Sequence, residues 1–176
     1  MATLIALLRA VNVGGRKVGM AELREACEAG GFSDVRTYIA SGNLVVSGPA
    51  ATAEARLEAL IARRFEIEVP VIVRTPSQWA GYVSGNPLTK EAAEAPSRVV
   101  LALSKKPAAS TAVEALLARA EHGEAIARCG DGLVFFFPQG ISQSKLSPSL
   151  IDRLVGAPTT GRNWNTVLKL AELASR

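Results

Sequence analysis

The chain opens on a short apolar run, Thr3 to Ala10, that reads as a buried strand. A glycine-rich loop follows, from Val11 to Gly19. Met20, Leu23 and Cys27 then recur at helical spacing, and Gly30-Gly31 closes a helix over Met20 to Ala29. Val35 to Ala40 carries the Thr, Tyr and Ile that favour a strand. Ser41-Gly42 reads as a turn and Asn43 to Ser47 as the returning strand. Leu57, Leu60 and Ile61 share one face of a helix over Thr52 to Phe65, and Val69 to Arg74 is a further strand.

This order, β-α-β-β-α-β, is the split β-α-β or ferredoxin-like plan. The second half repeats it. After a connector helix near Ser77 to Val83 come a strand (Arg98 to Leu103), a helix (Ser110 to Glu121) and two strands (Glu124 to Cys129, Leu133 to Phe137). Gly130-Asp131-Gly132 joins those strands as a tight hairpin. A helix from Ser149 to Val155, a short strand from Ala157 to Arg162 and a terminal helix from Trp164 to Leu173 complete the pattern. The expected organisation is α+β: two tandem ferredoxin-like lobes plus a C-terminal helix. Residues 1–75 form the first lobe, and residues 76–176 the connector, second lobe and last helix. Asn86 to Pro96 is the expected linker. Leu4, Ala6 and Leu8 point one way along the first strand, and Ile5 and Leu7 the other. Helices cover only one face of such a sheet. The second face therefore has to meet the other lobe or another subunit, or it would expose a large apolar patch.

Composition narrows the classes. Apolar residues are 48% and charged residues 20% of 176, which excludes bulk disorder and collagen-like structure. Aromatics are 5%, so Ala, Val and Leu must fill the core. The net charge of +4 permits an anionic ligand without announcing a nucleic-acid groove. Cys27 and Cys129 have no C-x-x-C spacing and read as reduced thiols. The apolar N-terminal run lacks a basic region before it and is too short to span a membrane, so a cytoplasmic chain is expected, with no membrane partner. One histidine, His122, and no clustered ligands leave no basis for a metal site or a Ser-His-Asp triad. No cofactor motif is present either.

Three segments carry candidate chemistry. In Arg9-Ala10-Val11-Asn12-Val13-Gly14-Gly15-Arg16-Lys17, the glycines allow close backbone approach, and Arg9, Arg16 and Lys17 supply charge. Amides of Gly14 and Gly15 with the following helix start are suited to cradle an anion. It is not a phosphate-binding P-loop, because Met20 stands where the lysine belongs. A plain β-to-α turn fits it equally. The second segment is Ser41-Gly42-Asn43, which the plan brings to the same end of the sheet, beside Asn12 to Lys17. Hairpin-turn chemistry alone also explains it. The third is Thr159 to Thr166, where Arg162 could grip phosphate or carboxylate, and Asn163 and Asn165 could read a base or amide. The competing reading makes Asn163 or Asn165 a helix cap and Trp164 a packing plug.

At these stretches the chain resembles the bacterial domain-of-unknown-function family 1697. The matching residues are RAVNVGG (Arg9 to Gly15), MAEL (Met20 to Leu23), VRTYIASGN (Val35 to Asn43), Asn86-Pro87 and RNWNT (Arg162 to Thr166). The resemblance implies two ferredoxin-like lobes in one compact unit. It brings no activity, substrate or catalytic residue with it.

The function expected from the residues is binding of a small anionic ligand: a nucleotide, a phosphate or a carboxylate metabolite. Arg9, Asn12, Gly14, Gly15, Lys17, Ser41, Asn43, Arg162, Asn163 and Asn165 would line its site. No nucleophile–base pair is visible, so any catalysis would act by positioning and electrostatics. Two alternatives stand beside it. Nucleic-acid binding suits the fold plan, but the central strands of the first lobe lack base-stacking aromatics, and Phe135, Phe136 and Phe137 must include core positions. A protein-interaction module would use the apolar second faces of the sheets.

Overall fold

Strand β1 (Ala2–Leu8) runs through the middle of a four-stranded antiparallel sheet ordered β2-β3-β1-β4, with β2 at Ser33–Tyr38, β3 at Asn43–Gly48 and β4 at Val71–Arg74. The computed structural model describes every residue except Val13, Gly14 and Arg16. Helices α1 (Met20–Ala29) and α2 (Ala53–Phe65) cross one face of this sheet. Leu23 and Cys27 of α1, with Leu57 and Ile61 of α2, pack on Leu4, Ala6, Leu8, Leu44 and Val46. This is the burial that the 3.6- and 2-residue periodicities prescribe. Asp34, at φ +50, sits in a bulge: β2 pairs Ser33 with Ser47 and then Arg36 with Val45, so two residues oppose one.

A second sheet has the order β6-β7-β5-β8, from β5 (Val99–Ser104), β6 (Ala125–Cys129), β7 (Gly132–Phe136) and β8 (Thr159–Asn163). Relative to the chain, this is the strand order of the first sheet. The remaining helices of the chain are α3 (Pro76–Ser84), α4 (Thr89–Glu94), α5 (Ala112–Leu117), α6 (Pro148–Val155) and α7 (Trp164–Ala174). Ala112, Leu116, Ile151 and Val155 bury against Ala102, Leu133, Phe135 and Phe137. Ser147 caps α6, accepting from the Leu150 amide at 3.2 Å, with Pro148 at the first helical position.

The chain forms two compact units, Met1–Ala80 with Lys169–Arg176, and Gly81–Leu168. The end of α7 thus groups with the first unit. There the Arg36 guanidinium, on the sheet face away from α1 and α2, donates to the Leu173 carbonyl at 2.5 Å. On that same face Ile5, Leu7, Val45 and Ile72 are all buried.

Three local expectations change. The Asn86 to Pro96 stretch is not a plain linker, because Lys90 to Glu94 are good helix formers and make α4. The helix expected to reach Glu121 stops at Leu117, where its end tightens into i→i+3 bonds from Arg119 to Leu116 and from Ala120 to Leu117. Strand β2 ends at Tyr38 rather than Ala40, and the connection to β3 is four residues long, Ile39 to Gly42.

Candidate functional site

Two connections meet at one end of the first sheet: the loop from β1 to α1 and the turn from β2 to β3. The meeting is hydrogen-bonded. The Leu8 amide donates to the Gly42 carbonyl at 2.8 Å. Asn12 ties the two connections together with one carboxamide. Its Oδ1 accepts from the Val18 amide at 2.8 Å, and its Nδ2 donates to the Val18 carbonyl at 3.1 Å and to the Ala40 carbonyl. The backbone here is strained. Ala10, Asn12 and Ile39 stand at φ +56, +57 and +50, in the left-handed region that L-residues disfavour. Asn12 tolerates it best, because its carboxamide bonds locally; Ile39 is β-branched and half exposed, so burial of its side chain compensates little of the strain.

Asn12 and the β2–β3 turn therefore meet, and the residues of the turn have roles of their own. Asn43 is fully buried, and its Nδ2 donates to the Tyr38 carbonyl at 3.0 Å and the Ser41 hydroxyl at 2.9 Å. Both amide protons are thus spent on closing the turn. Gly42, at φ +85, is packed so closely that a Cβ would lie 2.7 Å from Leu8 Cβ and Val11 Cγ2. Gly15, at φ +86, is exposed, and among the described residues beyond its chain neighbours none lies within 4 Å of where a Cβ would stand. Arg9 is half-buried, with its amide bonded to the Pro70 carbonyl at 3.0 Å, and Lys17 is exposed. Gly14 and Arg16 lie outside the described residues.

The remaining candidates belong to the second unit. Asn163 Oδ1 accepts from the Thr166 amide at 3.0 Å, which makes it the N-cap of α7. Asn165 is exposed, and Trp164 and Thr166 are buried. Arg162 is buried on the sheet face away from α5 and α6, opposite Leu101. Its Nη1 donates to Thr160 Oγ1 at 2.8 Å and to the Gly161 carbonyl at 2.9 Å. Burial pulls the guanidinium down to about 10, which leaves it charged at neutral pH. Phe135 and Phe137 stack on each other at 5.6 Å inside the helix-covered core, so neither ring presents a base-stacking face.

Sequence reasoning passed over Arg74 and Asn86. Arg74 ends β4 and is buried opposite Ile5, which the run Val-Ile-Val-Arg signals only as a strand end. Asn86 is buried too, beside Pro87 in a stretch whose composition reads as linker. Among the described residues no His, Cys, Asp and Glu side chains gather as metal ligands, and no helix is long and apolar enough to cross a membrane.

Comparison with known proteins follows the fold. The solved structure of the conserved bacterial protein SP0830 from Streptococcus pneumoniae aligns with a TM-score of 0.71 and 21% identity, covering 98% of this chain and 98% of that one. At that identity the likeness speaks for the mixed α/β fold. No curated protein matches the chain. The model of DUF1697, described as a protein of unknown function, matches residues 1–135, from β1 into β7, so the RNWNT stretch lies beyond the matched range. On that match the chain belongs to the DUF1697 family.

Proposed function

We propose that this protein is a pair of tandem ferredoxin-like plaits, working in the cytoplasm, that binds a small anionic metabolite where the β1–α1 loop meets the β2–β3 turn of the first unit. The shared strand order of the two sheets supports the plait reading. The anion reading rests on one observation: Asn12 clamps both connections together in a strained conformation, at Val18 and Ala40. Strain held in place this way is a common mark of a preorganised ligand site. In this reading Asn12 and Asn43 are the frame. Arg9, Lys17, the Ser41 hydroxyl and the Gly15 amide are the contacts, with Gly14 beside them in the sequence. A phosphate or carboxylate would be held by charge-assisted bonds and backbone amides.

The test is a thermal-shift titration with inorganic phosphate, a nucleoside monophosphate, citrate and a short single-stranded RNA, at low and high salt. A selective ligand at about 100 times its Kd adds about 2.7 kcal/mol and raises the midpoint by several degrees. The shift should vanish in Arg9→Ala and Lys17→Ala. Absence of any shift with the three small anions defeats the reading. A shift confined to RNA and lost at high salt replaces it with nucleic-acid binding.

A further inference from the structure

The second unit contains a cleft of about 230 Å³, floored by Asn86, Ala92 and Trp164 and rimmed by Thr89, Ala93 and Leu168. Asn86 is 4% exposed. Its Oδ1 accepts from the Leu88 amide at 2.9 Å, which fixes the orientation of the carboxamide. Its Nδ2 is buried and meets no hydrogen-bond acceptor among the described residues. A buried donor without an acceptor is costly, and native structures contain few. At the rim Leu168 is 46% exposed, a large apolar side chain facing the same opening.

We propose that this cleft is a ligand site for a neutral, ring-bearing small molecule that gives one carbonyl oxygen to Asn86 Nδ2 and sets its ring beside Trp164. Each part of that description follows from the lining. Nδ2 can only donate, so the ligand must accept. A carbonyl does so without bringing a donor of its own that would need a partner. Among the described residues no ionisable side chain lines the cleft, so a charged ligand would lose its hydration without compensation. The apolar walls suit a ring, and the volume lies below that of a site for drug-sized ligands, so the occupant is fragment-sized. Nδ2 is covered at rest, so binding displaces the α4 rim slightly. Asn86 and Trp164 also come from two of the stretches that carry the family resemblance. This site does not depend on the anion reading.

The experiment is a ¹⁵N NMR titration of the full chain with acetophenone, against ethylbenzene, which has the same carbon skeleton without the oxygen. Acetophenone should move the Asn86 side-chain amide, the Trp164 indole and backbone amides of α4, with a Kd of about 1 mM or tighter. Ethylbenzene should bind at least about tenfold more weakly. Asn86→Asp keeps the acceptor for Leu88 and removes the donor, and should lose the preference for acetophenone. Ala93→Leu fills the exposed mouth without touching Asn86, and should weaken binding by a similar factor. The proposal is overturned if acetophenone leaves the Asn86 amide unmoved, if ethylbenzene binds equally well, or if Ala93→Leu binds like the parent. The last two readouts decide the matter even if Asn86→Asp does not fold.

Discussion

Arg74 and Arg162 occupy the same place in their respective sheets. Each lies on the last strand, faces away from the two helices that cover its sheet's core face (α1 and α2, or α5 and α6), stands opposite an apolar residue of the sheet's first strand (Ile5 and Leu101), and donates from Nη1 to the carbonyl of the residue before it, at 2.9 Å in both cases. A lysine cannot reproduce this, because the planar fork carries several donors in fixed directions and the ammonium does not. Arg162→Lys should cost about 2 kcal/mol, mostly from weakening the bonds to Thr160 and Gly161. Arg74→Lys should cost a similar amount. Urea midpoints of the two variants measure it, and a variant as stable as the parent would show that the fork geometry is dispensable.

The two glycines of the candidate site should respond differently to alanine. Gly15→Ala meets chiefly backbone strain, because no described residue beyond its chain neighbours lies within 4 Å of the added methyl, and should cost about 1 kcal/mol. Gly42→Ala meets the same strain and also collides with Leu8 and Val11, and should cost about 3 kcal/mol. Equal losses in chemical denaturation would contradict the close packing of the turn.

Ile39 is a place where the protein can be stabilised. It holds φ +50 while 52% exposed, so its branched side chain gains little from burial. Ile39→Gly should raise stability by about 1 kcal/mol through relief of that strain. If the proposed site uses the strain, the same variant will bind its anion more weakly while melting higher.

Asn12 should prove a structural clamp. Asn12→Asp keeps the acceptor for the Val18 amide and loses the bonds to the Val18 and Ala40 carbonyls, whereas Asn12→Ala loses all three. Losses of about 1 and about 2 kcal/mol are expected, in that order. Faster amide exchange at Val18 should accompany both.

Alkaline pH should weaken the fold through its thiols. Burial, with a smaller contribution from Glu28, pushes the Cys27 thiol from 9.0 up to about 12. Burial, with Asp131 adding to it, pushes Cys129 up to about 11. Above pH 9.0 the unfolded chain ionises both thiols while the native state keeps them protonated. The stability is therefore whole below that pH and is lost as pH rises towards the folded values, by up to about 1.4 kcal/mol per pH unit for each thiol. Urea midpoints measured in steps from neutral to strongly alkaline pH should fall accordingly, and a Cys27→Ala, Cys129→Ala double variant should show a flatter profile.

The elements were legible in the sequence because their residues obey simple periods. Met20, Leu23 and Cys27 mark a helix, and the alternation in β1 marks a strand apolar on both faces. The convergence of Asn12 with the Ser41 turn was legible too, because it follows from element order. What escaped was the use of particular polar atoms. Ser-Gly-Asn suits a turn, but nothing local says that the Asn43 amide is consumed by Tyr38 and Ser41, or that this draws the end of β2 back to Tyr38. The burial of Asn86 was hidden for the same reason. An Asn-Pro pair reads as a surface turn until α4 and Trp164 are placed around it.

The grouping of Lys169–Arg176 with Met1–Ala80 makes the second unit, topologically, an insertion within the first. A ribosome finishes most of the first unit early but supplies its closing piece late, after residues 81–168, which take about 4–18 s to make at about 5–20 residues per second. During that interval the β2 edge, with Arg36, waits without the Leu173 carbonyl it later bonds. The order of synthesis is therefore the reverse of the order of completion. The unit begun first is sealed last, by the residues that follow directly on the end of the second unit within α7.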